Sequence, residues 1–194
     1  MKISNVNHEV RKLLITKKFY VKYNRHKKNS FEENYHSTIK DPDGKKRNLI
    51  NEKKFKISQL KFIIKFLKNY KPGKILDVGC GHGWLLSALN KNWKKFGIDI
   101  SKFASKNASK FGNIFTGEIK DYNEKEFDVI TALHLIEHLK KPEELIIKLN
   151  KILKKNGVLI LETPDFDSAA ARRYGNKFRL LHDKTHISLF SQNS

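Results

Sequence analysis

Cysteine occurs once in this chain of 194 residues, at Cys80; methionine also occurs once, and proline four times. A single thiol excludes an intramolecular disulfide and any zinc site built from several cysteines. It fits a reducing compartment, so a cytoplasmic protein is expected. No run approaches the roughly 20 apolar residues that a membrane-spanning helix needs. The first residues, MKISNVNHEVRKLLITKK, lack an apolar stretch followed by a small-residue cleavage site, so no secretory signal is expected. Arginine is also scarce, because 34 of the 40 basic residues are Lys. The better fork for phosphate is therefore the rarer cation.

The net charge is nonetheless +20, and it is uneven. Residues 1–71 carry 20 Lys+Arg against 6 Asp+Glu, and residues 72–194 carry 20 against 14. Such a surface attracts phosphate backbones without reading them. The excess of Lys, with abundant Asn and Ile, reads as compositional drift in preference to specific nucleic-acid recognition. The length suits one α/β domain with an arm. Residues 1–54 show no sustained period and carry a turn signal at Asp41-Pro42-Asp43-Gly44, so they are expected to form a basic arm or lid. The domain is expected over 55–194.

From Phe55 onward the pattern sharpens. Leu60, Ile63, Ile64 and Leu67 fall on one helical face that ends before Lys71-Pro72-Gly73. Strands are predicted at 74–78, 96–99, 113–116, 127–131 and 158–161. Helices are predicted from Trp84 to Asn90, after Ser101 as N-cap, and from Pro142 to a stop at Asn156-Gly157. The buried side of the last helix is read as Leu145, Ile146, Leu149, Ile152 and Leu153. Strands alternating with helices argue for an α/β fold, a mostly parallel Rossmann-like sheet with helices on both faces.

The most informative segment is Asp77-Val78-Gly79-Cys80-Gly81-His82-Gly83-Trp84, between the first of these strands and its helix. Ligands bind at the carboxyl ends of such strands, and glycines there let the backbone turn sharply. A dinucleotide turn would need glycine where Trp84 stands, and no Gly-Lys-Ser/Thr follows to make a phosphate loop. Asp99 lies 22 residues after Asp77, at the end of the next strand. A carboxylate there can accept hydrogen bonds from both hydroxyls of a ribose.

The spacing Asp-x-Gly-x-Gly-x-Gly with Asp99 resembles the cofactor signature of class I S-adenosylmethionine-dependent methyltransferases, over residues 55–190. Gly117-Glu118-Ile119 resembles the family's adenine-contacting turn. Phe127–Ile130 followed by His134-Leu135-Ile136-Glu137-His138 is similar to its fourth-strand region in the small-molecule branch, as are Leu153–Leu159, Thr163-Pro164-Asp165 and His186–Ser191. The resemblance implies S-adenosylmethionine as cofactor, held by Asp77, Gly79, Cys80, Gly81, Gly83, Asp99, Ile100, Glu118, Ile119 and Leu133. It implies a small-molecule acceptor with a hydroxyl, carboxylate or amine, and a sheet with two more strands than the chain supplies, so the chain reads as C-terminally truncated.

In-line displacement at a sulfonium methyl needs alignment above all, and a hydroxyl acceptor also gains from a base. His134, Glu137, His138 and His186 are the catalytic candidates, with His182 as a further base. Spacing of i, i+3 and i+4 would put the first three on one helical face. The set is read as metal-free. The alternative is a divalent ion, because some methyltransferases resembling this chain hold one with a Glu-x-x-Glu-His cluster and a distant His, and here His134 replaces the first Glu. Glu137 and His138 as mere braces of the turn remain a third reading.

Two other functions keep the fold. An RNA methyltransferase would use the arm, where Lys17, Lys18, Lys22, Arg25, Lys27 and Lys28 interleave with Phe19, Tyr20 and Tyr23. A catalytically inactive cofactor-binding domain would need only the glycine turn. As a lid, the arm would lay Tyr20, Tyr23, Tyr35 and His36 over the cleft.

Overall fold

The computed structural model describes residues 13–15, 21–23, 38–40, 46–183 and 185–191. Among these residues the strands are β1 (Leu13–Ile15), β2 (Val21–Tyr23), β3 (Thr38–Lys40), β4 (Lys46–Asn48), β5 (Lys74–Val78), β6 (Lys94–Asp99), β7 (Asn113–Thr116), β8 (Phe127–Leu133), β9 (Leu153–Glu162) and β10 (Ser188–Leu189). Six α-helices accompany them: α1 (Lys53–Gln59), α2 (Lys61–Asn69), α3 (Trp84–Ala88), α4 (Lys102–Ala108), α5 (Pro142–Ile152) and α6 (Ala169–Tyr174).

The described residues fall into two compact units. One contains the described residues of 38–132 with 146–160; the other contains β1, β2, 133–145 and the described residues from 161 on. The first unit is built on a five-stranded sheet in the order β7-β6-β5-β8-β9. β5 pairs in parallel with both β6 and β8, and β6 in parallel with β7. Chain order reverses on either side of β5, so the crevice beyond the carboxyl ends of β5 and β8 is a topological switch point, where such sheets bind ligands.

Central strands of a parallel sheet are covered on both faces and lose the alternation of a half-buried strand. Four of the five residues of β5 are buried, as are five of the seven of β8. Ile75, Leu76, Val129 and Ile130 are core, with Leu67 from α2 and Leu86 from α3. Phe127 fills the lower core and meets Phe96 edge-on at 5.4 Å. The second unit has its own three-stranded sheet, β1-β2-β10, with antiparallel pairing throughout.

Three local expectations need correction. α3 stops at Ala88, two residues short of Asn90. α5 ends at Ile152 and β9 starts at Leu153, so Asn156-Gly157 lies inside the strand and not at a helix stop. Asn156 adopts φ 64° there, and Lys154 reaches Asp128 at the start of β8 with a 2.7 Å ion pair. That pairing across the sheet outweighs the helical pattern. Thirdly, no helical face unites His134 with Glu137 and His138: a 3-10 turn begins only at Ile136, and His134 stands before it at φ 52°. The His134 amide donates to the Glu162 carbonyl at 2.7 Å, which holds it to β9.

Strands β1 to β4 were not foreseen in the arm. β3 and β4 pair on either side of the Asp41–Gly44 turn signal. The proposed lid residues Tyr20, Tyr35 and His36 lie outside the described residues, and of Tyr23 only the backbone, in β2, is described.

Candidate functional site

The turn after β5 is held by the end of β6. The amides of Gly79 and Cys80 both donate to the Ile98 carbonyl, at 2.8 and 3.0 Å. Gly79, Gly81 and Gly83 have φ of 73°, 51° and 72°, in the left-handed region that side chains resist. A side chain at Gly83 would press on Ala108 at 3.0 Å, so packing also requires that glycine. At Gly81 a Cβ would meet nothing within 4 Å, so this stretch of backbone borders open space that a ligand can enter closely.

Asp99 ends β6 and is tied to the same turn. Its Oδ2 accepts from the Gly81 amide at 2.8 Å and its Oδ1 from the Ser101 amide at 2.9 Å. Each carboxylate oxygen has a second lone pair, so the group can still accept from hydroxyls. The Gly117 amide donates to the Asp99 carbonyl at 3.0 Å, which brings the Gly117-Glu118-Ile119 turn to the end of β6. Ile100 is half exposed beside Asp99, and Glu118 pairs with Lys120 at 2.9 Å. Leu133 is half-buried at the end of β8. Cys80 is buried against the Gly97 backbone, and burial pushes its thiol well above the usual range, which disfavours the thiolate a nucleophile needs.

Asp77 is buried at the same strand end. Burial raises its carboxyl to about 7; the Thr131 hydroxyl, which donates to Oδ1 at 2.7 Å, partly offsets this, and the charge of Asp99 adds to it. Thr131 escaped the sequence reading because its partner is 54 residues away.

A second constellation lies in the other unit. Glu137, His138 and His186 each offer a ligand atom within 4.8 Å of the others, although the sequence separates them by almost 50 residues. The His138 and His186 rings are 5.0 Å apart. His138 Nδ1 meets the Thr185 carbonyl at 3.1 Å and His186 Nδ1 meets the Leu180 carbonyl at 3.0 Å. A carbonyl only accepts, so both Nδ1 atoms carry hydrogen, and in the neutral ring each Nε2 keeps its lone pair. Such a backbone partner is what orients a ligating or proton-accepting imidazole.

Glu137 is fully buried. Its Oε2 accepts from the Thr163 hydroxyl at 2.9 Å, whereas Oε1 has no hydrogen-bond donor among the described residues. His134 Nδ1 stands 3.5 Å from Oε1, an electrostatic contact, and its Nε2 lies 3.0 Å from Glu162. Burial pushes the Glu137 carboxyl up, but His134, its own backbone amide, His138 and Thr163 together bring it below the usual range. Burial lowers His186, opposed by Asp183, whose Oδ2 is 3.6 Å from Nε2. Thr163 and Thr185 meet Glu137 and His138 across 26 and 47 residues, so their roles are fixed only in three dimensions, whereas Asp183 holds its near neighbours Thr185 and His186. Of His182 only the backbone is described.

The model of a family described as methyltransferase domain matches residues 50–194, three quarters of the chain. The chain belongs to this family. Methyltransferases among its relatives include the malonyl-[acyl-carrier protein] O-methyltransferase of Halalkalibacterium halodurans, 35% identical over 107 residues, which are 48% of this chain and 40% of that protein. The ubiquinone biosynthesis O-methyltransferase of Pelagibacter ubique is 32% identical over 139 residues, 63% of this chain and 58% of that one. The chain thus spans about half the length of the curated relatives it matches. In structure it is similar to the plantazolicin methyltransferase BpumL in complex with a pentazolic desmethylPZN analog and SAH, with TM-score 0.55 and 22% identity over 71% of this chain and 58% of that one. That likeness is one of fold, and it identifies the five-stranded sheet with the class I methyltransferase architecture.

Proposed function

We propose that this methyltransferase-family chain binds S-adenosylmethionine at the glycine turn and Asp99, and directs its methyl group to an oxygen of a small-molecule acceptor. The observation that carries the reading is the Asp99 carboxylate, fixed by the Gly81 amide at the switch point, where it can receive both hydroxyls of a ribose. The two curated relatives named above are O-methyltransferases, which favours a hydroxyl or carboxylate acceptor over an amine. In the transfer, the acceptor oxygen forms its bond to the methyl carbon as the carbon–sulfur bond breaks, and S-adenosylhomocysteine leaves. A hydroxyl acceptor must also lose its proton. His138 Nε2 is the atom assigned to take it, with His186 beside it and Glu137 stabilising the imidazolium that forms; His134 tunes Glu137.

Isothermal titration tests the cofactor half. The chain should bind S-adenosylmethionine, and Asp99→Ala should weaken binding by about 1.5 to 3 kcal/mol, the scale of hydrogen bonds to a charged group. Equal affinity in the variant would remove the basis of the reading.

The cluster geometry favours one second reading, in which Glu137, His138 and His186 hold a divalent ion. The residues fit: two imidazoles oriented through Nδ1, one buried carboxylate oxygen lacking a donor among the described residues, and ligand atoms within 4.8 Å, which side-chain adjustment of under about 1 Å brings to the separation of at most about 4 Å that bonds of about 2 Å to one ion allow. A bound ion would supply a Lewis acid for the acceptor's oxygens. Zinc or manganese added to chelator-treated chain should then raise the melting temperature, and His186→Ala should abolish the rise. No rise in the parent chain leaves the metal-free reading.

A further inference from the structure

The helical pair α1 and α2 exposes aromatic rings in a field of lysine. From Lys53 to Lys71 the chain has seven lysines and no acidic residue. On α2, Ile64 and Leu67 turn into the core. Phe62 and Phe66, four residues apart and so on one face, point the other way, with 74% and 46% of their surface exposed. Phe55 on α1 is 53% exposed. Lys61 holds its ammonium 4.9 Å from the centre of the Phe62 ring. Lys53 is turned onto the rings of Trp84 and Phe111, at 5.6 and 4.9 Å, which leaves Lys54, Lys61, Lys65, Lys68 and Lys71 exposed around the phenylalanines.

Compositional drift explains lysines but not phenylalanines placed on the solvent side of a helix whose other side is already buried. We propose that the α1–α2 face carrying Phe55, Phe62 and Phe66 docks on an anionic lipid surface. Charge complementarity selects the partner. A second copy of the chain brings another +20 and would be repelled. Nucleic acid is read by rings that line a backbone-tracking groove and stack on bases, whereas here Phe62 stands 74% exposed on a helix and Phe66 leans on Tyr70 at 5.8 Å, and neither phenylalanine has a polar edge to pair with a base. Phenylalanine suits the boundary between headgroups and acyl chains, while lysines on the same face reach the phosphates with their stems lying along apolar surface. No helix of the described residues is long and apolar enough to cross a membrane, so the contact is peripheral. The inference stands independently of methyl transfer.

The test is cosedimentation of the 194-residue chain with vesicles of phosphatidylcholine, alone or mixed with phosphatidylglycerol. Binding should require phosphatidylglycerol and weaken as salt is raised. The double variant Phe62→Ser/Phe66→Ser should bind about tenfold less, and Lys61→Glu/Lys65→Glu should lose a similar factor or more. Phe62, Lys61 and Lys65 are exposed, and Phe66→Ser also removes a ring contact with Tyr70, so only a small fall in melting temperature is expected, with affinity for S-adenosylmethionine matching the parent. Undiminished binding by the phenylalanine variant, or equal binding to neutral vesicles, would overturn the proposal. Tighter binding to a single-stranded RNA, lost in the same variant, would overturn it in favour of nucleic acid.

Discussion

Asp77 and Asp99 end neighbouring strands, yet their surroundings divide their roles. Asp99 accepts from the backbone amides of Gly81 and Ser101, whereas Asp77 is sealed in the sheet, where burial raises its carboxyl to about 7. A carboxyl raised in the folded state keeps its proton where the unfolded chain has lost it. Its contribution to stability is therefore greatest below about pH 4 and falls as pH rises to about 7, by on the order of 4 kcal/mol. Asp77→Asn should remove that part of the slope, as measured by urea denaturation at pH 4.5 and pH 7.5; an unaltered slope would show that the group does not titrate in this window. At His138, conversion to Gln keeps a polar side chain but no base. If His138 takes the acceptor's proton, turnover should drop roughly 10²- to 10⁴-fold with cofactor affinity unchanged. An unchanged rate assigns His138 to bracing.

At the scale of elements, the helices and strands that were legible are those with local signals. β5 and β7 fall at 74–78 and 113–116, as predicted, because each is a short apolar run between turn residues. Ser101 caps α4 as its position suggests, accepting from the Ala104 amide at 3.2 Å. Ser101→Ala should cost about 1 kcal/mol in a denaturant melt. It should leave cofactor affinity intact, because the Ser101 amide that Asp99 accepts from is still present. The end of α5 was not legible. An Asn-Gly pair ordinarily stops a helix, but here the chain enters β9 at Leu153, five residues sooner than the predicted start at 158, and the ion pair between Lys154 and Asp128 ties it to β8. The turn carrying Glu137 and His138 was misread for a similar reason: heptad-like spacing shows which residues could share a face, not that the backbone continues as a helix.

Across the whole molecule, charge and chemistry are separable. A net charge of +20 guarantees attraction to RNA, but with six arginines in the chain that attraction has few forks with which to read it. Unrelated RNAs of equal length should bind this chain with similar affinity, falling linearly in log–log form as salt rises, as filter binding or fluorescence anisotropy would measure. A preferred structured RNA that resists salt would instead support an RNA acceptor.

The sequence by itself determined the mostly parallel sheet, the family and the place of Asp99 at a strand end beside the glycine turn, because glycine spacing, strand runs and the interval from Asp77 to Asp99 are all written within short stretches of chain. Only the tertiary structure decided that Thr131 holds Asp77, that one oxygen of Glu137 takes the Thr163 hydroxyl while the other is buried without a donor among the described residues, and that His186 returns to within reach of His138. Those are pairings between residues 26 to 54 apart, whose meeting depends on which strands and turns pack together. No periodicity encodes such a meeting. Phe62 and Phe66 depend on both: the face of Leu60, Ile63, Ile64 and Leu67 that α2 turns to the core is plain in the sequence, but that the rings opposite it stay exposed is a fact of packing.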